Sequence, residues 1–388
     1  MKTLMALALT IVIALSNTAM AEEITIGGFA FAGDFKSAAE RFPLTFSLYQ
    51  KATKEKTTTF SREVIERMRT AKNERIDFNL GEKQVNLKQS DRALMAVLML
   101  TGETTSTENF GSYFKTFVSL RGDALIFDYK NQVVVRSYPL SVVLFDATET
   151  APTKERLAGF VDDLVRRQDG RGLVTQFLRR MEAADVTQKT IKTVQVRKSS
   201  IDDVALALMP QGLRNDKAAI ESIAADGFAS ILSAKTGVSL LPRSIGHAVG
   251  GVMSMRLENG DDYKLKIGEG DYVFDLSIKK LAKIKAAESN VSTTYVYGAY
   301  VDIDFLEPAL GTAYLSTSLK NGETSVIPAG QISNDDFPAY QDALRGLFLK
   351  LSDALNGSGD GKWLKTAASG KDIEPQITSS RKIIGECK

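Results

Sequence analysis

The chain spells one α/β unit twice, about 180 residues apart. The first spelling runs from Ser90 to Val97 and resumes, after a polar stretch, from Phe117 to Tyr129. The second runs from Gly270 to Leu276 and resumes from Tyr295 to Phe305. Solenoid repeats are far shorter than this, so the period implies two similar domains. The order of elements also repeats: helix, strand, buried strand, polar connection, hairpin strands, closing helix. The expectation is an α+β or α/β chain built from two similar mixed-sheet domains with packed helices, as an internal duplication would leave.

The first residues look like a processing segment. Lys2 is followed by the apolar run Leu4 to Leu15 and by the small-residue pattern Ala19-Met20-Ala21. That run is too short to anchor in a bilayer, so residues 1–21 read as a cleaved signal peptide. No cysteine stands at the cleavage point to take a lipid, and no later run has the length of a membrane helix. A periplasmic or secreted location follows.

Local patterns then place the elements. Ile24 to Phe31 reads as an opening strand, and Phe60 to Met68 as a helix with Phe60, Val64, Ile65 and Met68 on one face. Ala93 to Leu100 is a short continuous apolar run, which suits a strand buried on both faces. Strands at Leu125–Tyr129 and Val133–Tyr138 flank a turn at Lys130-Asn131-Gln132. Pro152 and Thr153 announce a helix through Leu164, and a second follows Gly172. In the second half, Ile220 to Leu232 reads as a helix interrupted at Gly227, and Asn321-Gly322 as a hairpin turn. A closing helix opens at Ser333, with Asp336 as the acidic member of a capping box. The expected division is 1–21 signal peptide, 22–185 first domain, 186–356 second domain, and 357–388 a flexible tail.

Composition narrows the chemistry. Forty-nine basic and 47 acidic residues nearly cancel, with no basic cluster, which argues against nucleic acid as a partner. His247 is the only histidine, so a multi-histidine metal site is impossible and any Ser-His-Asp triad must use it. It reads as a loop histidine, with a catalytic or pH-sensing role as the alternative. Cys387 is the only cysteine, so there is no internal disulfide; an exposed tail thiol or an intermolecular bond are the two options. Asn356 to Lys362 resembles a phosphate loop and a calcium loop but breaks both patterns, the latter because Ala367 stands where a glutamate is needed. No cofactor or metal is expected. Asp302 and Asp304 share one face of a strand: either a catalytic or metal pair, or the wet face of a one-sided sheet opposite Val301, Ile303 and Phe305. Tyr295, Tyr297, Tyr300 and Trp363 are candidates for a recognition surface.

The segments Gly270-Asp271-Tyr272-Val273-Phe274-Asp275-Leu276 and Tyr295 to Asp304 resemble a group of bacterial envelope α/β domains. The group includes the curli secretion channel lipoprotein, the lipoprotein activators of penicillin-binding proteins, and the N-terminal domain of the Tol translocation protein. The resemblance covers Ala218 to Leu355, and reaches the first half through the repeat. It implies action by assembly and protein contact, with no catalytic residues to carry over. The leading expectation is therefore a non-enzymatic adaptor or assembly protein of the envelope, partnered by other envelope proteins or by itself. Two alternatives are a periplasmic small-ligand binder with an interdomain cleft and a carboxylate-based hydrolase of envelope glycans.

Overall fold

The structure is a computed structural model, and it describes residues 21–81, 93–187, 192–243, 248–249 (backbone), 251–331, 334–359, 361–370 and 372–388. The signal segment, Ser90 to Arg92 and His247 lie outside the described residues.

Two mixed sheets organise the chain, and the α+β expectation of two sheet units holds. The first sheet contains β1 (Glu22–Ala32), β2 (Ile76–Asn79), β3 (Leu94–Asn109), β4 (Phe114–Asp128) and β5 (Val133–Thr148). Around it lie α1 (Ala38–Arg41), α2 (Pro43–Glu55), α3 (Phe60–Met68), α4 (Lys154–Arg166) and α5 (Leu173–Ala183). The second sheet contains β6 (Val194–Ile201) and β7 (Leu240–Leu241), joined through α6 (Asp203–Leu206), α7 (Gln211–Arg214) and α8 (Lys217–Thr236). It is completed by β11 (Tyr272–Glu288), β12 (Ser292–Glu307) and β13 (Thr312–Pro328), then α9 (Phe337–Asn356), α10 (Lys362–Ala367) and α11 (Ile373–Glu386). Between β7 and β11 run β8 (Ala248–Val249), β9 (Val252–Leu257) and β10 (Asp262–Lys266).

The two sheets repeat one topology. Strand order is β2-β1-β3-β4-β5 in one and β7-β6-β11-β12-β13 in the other, each with parallel pairs first and an antiparallel meander after. The irregularities repeat as well. Taking Ile24↔Leu94 and Val194↔Tyr272 as matching pairs, Gly27 and Arg197 are the bulged residues three positions on. Thr101 and Lys279 are bulged seven positions after Leu94 and Tyr272. Val135 and Tyr314 are bulged at matching places in the last strand. Bulges are built features that set local twist, so their coincidence shows equivalence residue by residue.

The units differ in what covers them. The helix-facing side of the first sheet buries Val118, Leu120, Ala124 and Ile126 against Phe60, Val64, Val161, Leu164 and Phe177. Helices α3 and α4 are held in register by Thr59 and Thr153, whose side chains cap the N–H groups of Arg62 and Arg156. The opposite face is also covered. At one end β9 pairs with β1 (Phe31↔Arg256) and β10 meets β5 (Lys266↔Val133), closing a ring of six strands. Its interior is small and methionine-rich: Val97, Met99, Leu125, Phe127, Met253, Met255 and Leu265. At the other end α8 lies on β4 and β5, and Phe337 at the start of α9 stacks edge-on against Phe117 and Phe145, at 5.2 and 5.8 Å. Helix α8 faces the second sheet with its other side, which is why Ile220, Ala225, Phe228 and Leu232 are buried along most of its circumference.

Several expectations need correction. The stretch 186–356 is not one contiguous domain, because β8 to β10 belong to the first sheet. The tail beyond Gly357 is not a loose end: α11 buries Ile373, Ile377, Ile383 and Ile384 in the second core. Cys387 is buried there too, rather than exposed. Gly227 does not interrupt α8, and Asn321-Gly322 is not a turn but the middle of β13. Tertiary contacts override the local turn signal there: the Asn321 amide donates to the Ala343 carbonyl at 3.0 Å and its oxygen accepts from Lys350 Nζ at 2.6 Å. Asp336 occupies the cap position of α9 but makes no capping bond; its carboxylate takes the Tyr297 hydroxyl at 2.6 Å and Lys283 Nζ at 2.8 Å.

Candidate ligand cleft between the two units

Where α8 crosses from one unit to the other, the helices on either side do not close over it. The result is a half-open cavity of about 550 Å³. Its floor is one stripe of α8, namely Ile223, Ala224, Gly227, Ser230, Ile231 and Ala234. These recur at helical spacing and are mostly small. A side chain at Gly227 would meet nothing within 4 Å, so this glycine keeps the floor low without serving any turn. One wall is the outer face of β4 and β5, with Phe117, Ser141, Val143 and Phe145, continued by α5 with Gln176, Arg179 and Arg180. The other wall is α9, with Leu344, Phe348 and Leu349 facing in and Gln341, Asp342 and Arg345 at the edge.

The charges on the rim are unequal. Arg180 is engaged, donating to the carbonyls of Ser233 and Ser230 at 3.2 and 3.3 Å, and burial lowers its pKa. Lys235 pairs with Asp353 at 2.9 Å. Arg179 on α5 and Arg345 on α9 are exposed on opposite lips and form no hydrogen bond or ion pair among the described residues. Asp342 is the one carboxylate among the described residues that line the cleft. Burial raises its pKa, and neighbouring Arg345 works against that rise.

Behind another face of α8 lies a buried charged cluster. Arg121 of β4 and Arg243 after β7 both approach Asp226 of α8, at 3.3 and 3.5 Å. Asp123 is fully enclosed beside them and accepts the Ser137 hydroxyl at 3.0 Å. Burial, reinforced by the Asp226 charge, pushes Asp123 up to about 7. These groups line a cavity of about 80 Å³, enough for water to satisfy part of the cluster. Ser137 and Ser239 are tied by bonds of 2.9 and 3.1 Å, which join the two sheets beside it.

The residues singled out from the sequence lie elsewhere. Asp302 and Asp304 are half-buried on the outer face of β12, opposite the core side chains Val301, Ile303 and Phe305, as the wet-face alternative expects. Asp302 is hydrogen-bonded by the Ser318 hydroxyl. Neither lines the cleft. Their cross-strand neighbour Asp275 is held by Arg197. The tyrosines split: Tyr297 is fully buried against Tyr340, whereas Tyr300 stands on the outer face. Trp363 packs partly buried on the second core. Among the described residues no group of three or more His, Cys, Asp or Glu side chains is placed to hold a metal ion, and no helix is long and apolar enough to cross a membrane.

The cleft and the cluster were missed, yet each left a trace. Arg121 and Asp123 are charges inside the apolar run Phe117 to Phe127 of a central strand, and charges are rarely fully buried unless paired. The segment 217–236 is apolar all round rather than on one stripe, the mark of a helix covered on two sides. Comparison of the sequence with known protein families, and with curated proteins, found no match to either.

Proposed function

We propose that this is a non-enzymatic, exported binding protein of the bacterial envelope that holds a small ligand between its two units. The observation that carries this reading is the cleft floored by α8: its volume lies within the range of small-molecule sites, and such sites favour domain junctions. Export rests on the N-terminal pattern around Lys2, Leu4–Leu15 and Ala19-Met20-Ala21. The test is native mass spectrometry of the protein purified from its host, beside a Gly227→Trp variant that fills the floor. A small-molecule adduct on the wild type, absent from the variant, is expected. A bare wild type, or the same adduct on both, overturns the reading.

A second reading, an adaptor working through protein contact or self-association, is favoured by a different observation. In the first unit the outer face around Phe117 is covered by α8 and α9, but the equivalent face around Val296 in the second unit is open. Ile284 and Val326 on that face are 58% and 60% exposed, more than core strands usually leave bare. The strand spelling shared with envelope assembly domains points the same way. Crosslinking in the host periplasm decides: a reproducible species tethered through β11 to β13 supports the adaptor, and a clean monomer removes it.

A further inference from the structure

We infer that the ligand of the cleft is a single-chain amphiphile with an anionic head, of the fatty-acid type; this rests on the reading of the cleft as a binding site. The lining divides into an apolar trough and a cationic rim. Ala224, Gly227 and Ile231 form the base of the trough, and Val143, Phe145 and Phe348 form its sides. Val143 and Phe145 stand 43% and 37% exposed, so the β5 side of the trough is bare apolar surface, whereas Ala224 and Phe348 are already buried. An acyl chain laid along it removes that surface from water at no polar cost.

The head group follows from the charges. Arg179 and Arg345 stand on the two lips with no hydrogen bond or ion pair among the described residues, Arg345 feeling only the charge of nearby Asp342, while Arg180 and Lys235 are already engaged. One carboxylate, Asp342, opposes them. A cationic head would meet the guanidinium groups unfavourably, and a neutral one would leave them as they are. A carboxylate or phosphate is matched by the planar donor fork of arginine.

The test uses the full mature chain and three ligands sharing one alkyl chain: dodecanoate, dodecanol and dodecyltrimethylammonium. Calorimetric titration is expected to give dodecanoate the tightest binding, with the ammonium compound the weakest. The double variant Arg179→Ala/Arg345→Ala is expected to weaken dodecanoate by about tenfold, the effect of two partly exposed ion pairs, and to leave dodecanol within about twofold. Gly227→Trp, with Gly227→Leu as a smaller plug, is expected to abolish binding of all three while the fold persists. Equal affinity for the three head groups, or a double variant that binds dodecanoate like the wild type, overturns the anionic class and leaves the cleft a binding site. Failure of every amphiphile, with the same native adduct on wild type and Gly227→Trp, overturns both.

Discussion

Asp123→Asn should stabilise this protein progressively as pH rises from about 4 to about 7, with the full gain above that and little effect below about pH 4. The carboxyl group is enclosed on β4, and burial together with the Asp226 charge holds its proton up to about pH 7. In the unfolded chain the same group releases its proton near pH 4. Between those values the native state binds more protons than the unfolded state, so stability falls as pH rises and levels off above about 7. The gap between 3.8 and about 7 corresponds to about 4 kcal/mol at pH 8. An asparagine carries no such term and keeps an oxygen for the Ser137 hydroxyl, as the protonated carboxyl does. The variant should therefore exceed the wild type by about 4 kcal/mol at pH 8 and match it near pH 4 and below. Urea unfolding of both proteins across that range measures the difference. Burial also raises the carboxyls of Glu103 and Glu258, but these act alike in both proteins and cancel. A variant less stable than the wild type at pH 8 would refute the reasoning, since it would mean that Arg121 and Arg243 hold Asp123 ionised.

Four further outcomes follow from packing. Gly227→Ala should raise stability by about 0.5–1 kcal/mol, because the position is mid-helix and the added methyl meets open space; a loss in the unfolding midpoint would show that the floor of the cleft is occupied by protein. Cys387 is buried, and burial pushes its thiol up to about 12; a thiol reagent should label it slowly in the native protein and at the rate of a free thiol in denaturant. Ile384→Ala should cost about 2–5 kcal/mol, as for a core isoleucine, whereas a frayed tail would give almost none. The fragment 22–187 should fail to unfold cooperatively, because it lacks Met253, Met255, Leu257 and Leu265, four core side chains worth about 1.5–3 kcal/mol each; a sharp calorimetric transition for the fragment would contradict this.

Much of the repeat was legible because it is written in strands. The apolar run at β3 and the alternation of β11 and β12 survive in the sequence, since each strand must bury at least one face wherever the unit sits. Helix α3 was readable end to end for the same reason: it shows one apolar stripe to one partner. What could not be read depends on contacts between distant segments. The hairpin of β9 and β10 alternates like any half-buried pair, and nothing local says that its buried side belongs to a sheet more than 100 residues earlier. The Asn321-Gly322 signal is a sound local preference that a buried amide pairing outweighs. The tail looked loose because Gly and Ser dominate residues 356–361, although the isoleucine spacing of α11 at 373, 377 and 384 is helical.

The two aspartates at one repeat position show why local reading stops where it does. Asp123 and Asp302 occupy equivalent places, since Met95↔Phe127 and Val273↔Leu306 are matching pairs that fix the register of the two central hairpins. Each stands on the face of its sheet that points away from that unit's own core. Asp302 meets the edge hydroxyl of Ser318 and remains half-buried. Asp123 has α8 and the Arg243 segment laid over it, and the same carboxylate becomes a buried acid with a displaced pKa. Nothing in the strand distinguishes the two fates. The difference arises from what lies over each sheet: among the described residues α8 covers the outer face of the first, whereas Ile284 and Val326 on that face of the second stay exposed. The helix that buries Asp123 also supplies the floor of the cleft, with Ser222 and Asp226 turned to the cluster and Ala224, Gly227 and Ile231 turned to the open side. Both features missing from the sequence therefore have one cause, the seating of α8 between two sheets, and both should change together when that seating is disturbed.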